Sequence, residues 1–192
     1  GIAALRPGAA QIMLRTRTDQ DQGRGPLMAY PHNELVREMS HPFLGHLQLW
    51  AIRTESGQSA TAQVSTERHE WRGMSGDVPF TIPVDADADQ HLRWMRSTTC
   101  ALLMAAAQRK LELKQRVAAE MIDVARDWTG EQSLSLAALV DALHLSLFQV
   151  WVDAENFTID VWFKDSANIF RDHSILGCLD SVGELRDIGL EG

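Results

Sequence analysis

The sequence predicts an α+β fold, an antiparallel sheet ending in a C-terminal β-meander and packed against a central helical section of two or three helices. Three observations predict it. Residues 84–129 contain neither Gly nor Pro and repeat apolar side chains at three- and four-residue steps. Residues 146–163 alternate with period two around a short acidic loop. The stretches that precede the helices read as extended. Strands, then helices, then strands are segregated rather than interleaved, which is the α+β order.

Each element follows in turn. Leu44, His46, Gln48 and Trp50 alternate with Gly45, Leu47, Leu49 and Ala51, a strand near 44–53 with apolar groups on both faces. Ser56-Gly57-Gln58 reads as a turn, and a second strand covers 60–66. Residues 78–84 are extended too, but Pro79 and Pro83 each lack a backbone donor and confine that segment to a sheet edge or a loop. The acids Asp85, Asp87 and Asp89 open the helical section, where a short carboxylate caps the first turn and suits the helix dipole. Apolar positions run through Leu92, Met95, Leu103, Leu113, Val117, Met121 and Trp128, with a break expected near Gln108-Arg109-Lys110. Thr129-Gly130 ends the run, and Ser133 or Ser135 caps a further short helix through Leu143.

The last fifty residues carry the clearest pattern. Ser146, Phe148, Val150 and Val152 share one face of a strand, and Phe157, Ile159, Val161 and Phe163 share one face of the next. A four-residue loop, Asp153 to Asn156, sets Val152 opposite Phe157 and Phe148 opposite Val161. Leu147, Gln149 and Trp151 then stand opposite Trp162, Asp160 and Thr158 on the second face. A third strand runs from His173 to Leu179, and a last segment from Leu185 to Leu190.

Composition narrows the function classes. At 192 residues, with 45% hydrophobic and 23% charged residues, the chain suits one globular domain that needs no disulfide or metal to fold. Residues 1–28, with four Arg and two Asp, read as a flexible tail that need not be native, and residues 29–192 as a single domain. The formal charge is −8, and the tail's +2 leaves −10 for the remainder. So acidic a chain disfavours nucleic acid and steers towards basic partners. No apolar run is long enough to span a membrane, and no secretory signal is evident, so the cytoplasm is the expected compartment. Cys100 and Cys178 are expected as reduced, buried thiols.

Motifs for chemistry are sparse. The chain has no phosphate-binding glycine loop, no H-E-x-x-H, no Cys-x-x-Cys and no Gly-x-Ser-x-Gly elbow. Asp85, Asp87 and Asp89 lack the glycine and closing glutamate of a calcium loop. Among the seven histidines His173, preceded by Asp172, is the most interesting, read first as a buried structural residue and secondly as a ligand contact. No catalytic residue, metal or cofactor is expected. Trp151 and Trp162 project from the second face of the hairpin beside Asp160, a mixture that suits a protein-binding patch.

The run Phe157 to Asp165, followed by Ile169-Phe170-Arg171-Asp172-His173-Ser174-Ile175, resembles bacterial domain-of-unknown-function family 2262. Glu191-Gly192 resembles that family's ending, and the resemblance extends over roughly 40–192. It implies no enzymatic activity; proteins resembling it are associated with accessory or immunity roles in bacterial toxin systems. The leading expectation is therefore an immunity protein that neutralises a basic toxin domain by direct binding. Trp151, Trp162 and Asp160 are the expected contacts, with Asp153 and Glu155 of the hairpin loop in support. The rivals are a hydrolase-like enzyme using His173 with nearby carboxylates and a structural subunit of a bacterial assembly.

Overall fold

The computed structural model describes residues 32–56, 64–84 and 87–192. Eight strands form one sheet in chain order: β1 (His32–His41), β2 (Gly45–Ser56), β3 (Val64–Ser75), β4 (Val78–Val84), β5 (Leu143–Val152), β6 (Phe157–Asp165), β7 (Ser174–Leu179) and β8 (Leu185–Glu191). Between β4 and β5 lie the helices α1 (Ala88–Trp94), α2 (Ser97–Gln108), α3 (Lys110–Thr129) and α4 (Leu136–Ala142). Every neighbouring pair of strands is antiparallel except β4 and β5, which are parallel at Phe80–Phe148 and Thr81–Gln149. Parallel strands cannot be joined by a tight turn, so the chain crosses over between them. The α+β architecture with a C-terminal meander is thus the observed one.

The helices pack on one face of the sheet. Trp71, Phe80, Ile82, Phe148, Val150, Ile159, Val161 and Phe163 from the strands join Leu103, Val117 and Leu139 from the helices in a single core. Burying each such large side chain stabilises the fold by about 1.5–3 kcal/mol. Trp71 is wholly buried, and its indole Nε1 donates to the Ala88 carbonyl at 2.8 Å, tying β3 to the start of α1. Space for the Phe80 ring comes from Gly73 on β3, where a Cβ would lie 2.5 Å from Phe80 Cζ.

Local chemistry sets the ends of the helices. Asp87 Oδ1 accepts from the Asp89 and Gln90 amides at 2.9 and 3.2 Å, and Ser135 caps α4 through the Ala138 amide. Gly130, at φ 71°, ends α3 in the left-handed conformation that glycine adopts without strain. The break between α2 and α3 falls at Arg109, as expected, and the helical section holds four helices because a further break at Met95-Arg96 separates α1 from α2. Hydrophobic spacing continues through that break, which is why periodicity does not reveal it.

The hairpin β5–β6 has the expected register throughout its loop-proximal half: Val152 opposite Phe157, Val150 opposite Ile159, Phe148 opposite Val161 and Gln149 opposite Asp160. Other expectations are corrected. β4 is central rather than at an edge, because its parallel ladder to β5 uses only Phe80 and Thr81, between the two prolines. β1 has no counterpart in the sequence reading; its side chains are mostly exposed on an edge, so no apolar alternation marks it. β3 reaches Ser75, well past residue 66. β7 starts at Ser174, leaving His173 just outside the strand. Cys100 is buried but Cys178 only partly so, and neither is in a disulfide. The tail read at 1–28, the turn at 57–58, the first part of the strand read at 60–66 and Asp85 lie outside the described residues.

Gly73→Ala should lower stability by about 1–3 kcal/mol through overpacking against Phe80 and Leu47, seen as a lower urea midpoint with an unchanged slope.

Candidate functional site

Alternation along the strands gives the sheet a second face, and the helices do not share its side chains. Trp50, Trp151, Trp162, Ile52, Leu147 and Leu176 all lie outside the core that joins helices to sheet. The register aligns one row of this face across all eight strands: Glu38, Gln48, Arg72, Thr81, Gln149, Asp160, Cys178 and Arg186. Trp50 and Trp151 flank that row on one side and Trp162 on the other. The three rings are half-buried.

Two clusters occupy this face. On the N-terminal half, Arg72 Nε donates to Glu70 Oε1 at 2.6 Å, and the Arg72 Cζ sits 4.9 Å from the centroid of the Trp50 ring. The Trp50 Nε1 donates to Gln48 Oε1 at 3.3 Å, and Gln48 Nε2 donates in turn to Glu38 at 2.6 Å. Glu70 is only 5% exposed, so the burial of its carboxylate depends on the arginine beside it. On the C-terminal half, the Trp151 Nε1 donates to Asp160 Oδ2 at 2.8 Å. Gln149 and Thr81, both buried, bridge the two halves through their register positions. The Trp162 Nε1 is buried and meets no acceptor among the described residues.

The expected site residues separate into two groups. Trp151, Trp162 and Asp160 share the second face. Asp153 and Glu155 lie at the hairpin tip instead. Asp153 Oδ1 accepts from the Glu155 and Asn156 amides, each at 2.7 Å, and these bonds hold its carboxyl below the usual range. Glu155 is exposed. Sequence reading passed over Trp50, Glu70 and Arg72, although the charges alternating at Arg68, Glu70 and Arg72 mark one face of a strand.

His173 sits elsewhere, between the Phe170 turn and β7. Its ring meets Trp128 edge-on at 5.0 Å, and a Cβ on Gly192 would lie 2.4 Å from its Cδ2. The His173 Nδ1 is buried and meets no partner among the described residues. Asp172 is exposed, while the upstream Asp165 accepts from the Ile169 and Phe170 amides at 2.6 and 3.2 Å. Among the described residues His173 forms no ion pair with a carboxylate. Among the described residues no three His, Cys, Asp or Glu side chains converge as metal ligands, and no helix is long and apolar enough to cross a membrane. Burial pushes the Cys100 thiol above its ordinary pKa, which disfavours the nucleophilic thiolate.

A cleft of about 500 Å³ opens at the end of the sheet, between Phe43, Met74 and Met104, with the Asp77–Lys110 ion pair on its rim. Neither it nor the smaller cleft beside Arg109 and Glu184 includes His173. The chain matches no family model, no curated protein and no solved structure.

Arg72→Met should destabilise the protein by about 3 kcal/mol in urea, because it leaves the Glu70 carboxylate buried without its cation. Asp153→Asn should be less stable at neutral pH. The depressed pKa in the folded state means that the carboxylate's contribution is present above the unfolded value near about 3.9 and is lost as pH falls through the folded value. The gap in thermal midpoint between the two proteins should close in that acid window.

Proposed function

We propose that the protein is a non-enzymatic binding module that recognises a basic protein partner through the second face of its sheet. One observation carries this reading: three half-buried tryptophans stand on a sheet face outside the core, around a polar row that spans the sheet. Large aromatic side chains of this kind supply most of the energy at protein interfaces, where polar neighbours set orientation. The formal charge of −8 favours encounter with a basic partner and makes the association rate sensitive to salt. Within that reading, an immunity protein bound to a toxin domain is the partner class that the C-terminal resemblance favours.

Affinity capture from the source cells at moderate and high salt, followed by identification of the retained protein, tests the proposal. The expected result is a stoichiometric basic partner, retained less well at high salt. Trp162→Ala and Asp160→Lys should each weaken it by about thirtyfold or more, the loss typical of an interface anchor, while both variants stay folded by circular dichroism. A partner held equally by both variants would remove the second face from consideration. A partner that binds there but has no toxic activity would overturn the immunity reading and leave the binding module.

A further inference from the structure

Three exposed apolar side chains converge on one place. Phe43, Met74 and Met104 are 55%, 53% and 46% exposed, and all three line the cleft of about 500 Å³ at the end of the sheet. Local bonds fix them there. Phe43 lies in the turn from β1 to β2, where His41 Nδ1 accepts from the Phe43 and Leu44 amides at 3.3 and 3.2 Å. Met74 precedes Ser75 at the end of β3, and the buried Ser75 hydroxyl donates to the Leu103 carbonyl of α2 at 3.3 Å. That bond ties the strand wall of the cleft to the helix wall that carries Met104. Gly76, at φ 62°, then turns the chain into β4.

Charge sets this patch apart. The chain carries −8, yet among the described residues that line the cleft only Asp77 and Lys110 are charged, and they pair with each other. A basic protein finds no net acid here to read, and an anionic surface finds no net base. Two copies of this chain repel through their overall charge, but meet no net charge across this patch. The ion pair is also self-complementary. About a two-fold axis, Asp77 of one copy faces Lys110 of the other and the reverse, so two pairs join as four alternating charges. Both side chains are at least half exposed, and a carboxylate and an ammonium each take more than one hydrogen bond.

We propose that this patch is the contact of a homodimer, in which Phe43 of each copy packs between Met74 and Met104 of the other and Asp77 of each meets Lys110 of the other. Homodimer contacts are the more apolar class of interface, and methionine, unbranched and polarisable, reshapes around an entering ring. The three side chains uncover roughly 300 Å² of apolar surface, the scale of a functional patch but short of the roughly 800 Å² per copy of a standard interface. The dimer is therefore weak, with a dissociation constant between about 1 and 100 µM. It stands independently of the binding role of the second face.

Sedimentation equilibrium of the full chain, from about 1 µM to about 1 mM, tests the proposal. The mass should rise to that of a dimer across this range. Met104→Glu and Phe43→Ser should each weaken the dimer by about thirtyfold or more, and Phe43→Ser, on an exposed turn, carries the test where Met104→Glu does not fold. Asp77→Lys and Lys110→Glu should each weaken it by about tenfold. An equimolar mixture of these last two should recover the dimer, because one copy then presents two cations to two anions of the other. Within each of those variants the two charges still repel, so recovery reads contact between copies rather than stability of the fold. Val36→Glu, on the exposed edge of β1, should leave the dimer unchanged. A chain monomeric throughout would overturn the proposal, and uptake of anilinonaphthalene sulfonate by that monomer, lost on Met104→Glu, would assign the cleft to a small apolar ligand instead. A dimer lost on Val36→Glu but kept by Met104→Glu and Phe43→Ser would place self-association on the edge strand and overturn it as well. A mixture no more dimeric than its components would overturn the two-fold facing of Asp77 and Lys110.

Discussion

Where Phe80 and Thr81 meet Phe148 and Gln149 the sheet is parallel, and this single junction governs the rest of the molecule. It joins two antiparallel meanders, β1 to β4 and β5 to β8, each of which can be connected internally by short turns. The junction itself needs a long crossover, and the four helices of the described residues reside in it. Because the whole helical layer belongs to one connection, it covers one face of the sheet. Phe80 and Phe148, paired across the junction and fully buried, sit at the centre of the resulting core.

The other face inherits the consequence. Side chains that alternate with the core residues carry no obligation to be apolar, and the register places Arg72, Thr81, Gln149 and Asp160 in one line across the central strands. Tryptophans on either side shield that line. Buried Glu70 is tolerated because Arg72 neutralises it at 2.6 Å, and the Trp50 ring covers the guanidinium. Such a surface combines large aromatic area with fixed polar groups, which distinguishes it from a face that is merely solvated.

Four of the aspartates have a separate, local task. Asp87 caps α1, Asp153 gathers the amides of the hairpin loop, Asp165 holds those of Ile169 and Phe170, and Asp180 accepts from Val182 and Glu184. Short carboxylates reach the backbone two to five residues onward, so they organise turns as well as supply charge. Of the carboxylates named for function, Asp160 differs from Asp153 in bonding a tryptophan on the second sheet face rather than the chain's own turn. His173 is likewise held by packing against Trp128 and the C-terminal glycine.

Period and punctuation determined the local elements. The two-residue alternation of 146–163 with its four-residue loop was sufficient for the hairpin register, and with it the shared face of Trp151, Asp160 and Trp162. The Asp87 and Ser135 caps and Gly130 were legible for the same reason, since each is decided by atoms within a few residues. Tertiary structure alone decided what depends on distant neighbours. β1 is recognisable only by its pairing with β2, as it buries almost nothing of its own. β4 became a central strand because its partner β5 lies some sixty residues away and bonds it only between the two prolines. Trp50, Glu70 and Arg72 became a cluster because antiparallel pairing set β2 beside β3, and that register brings side chains together across a separation that no spacing within one strand encodes.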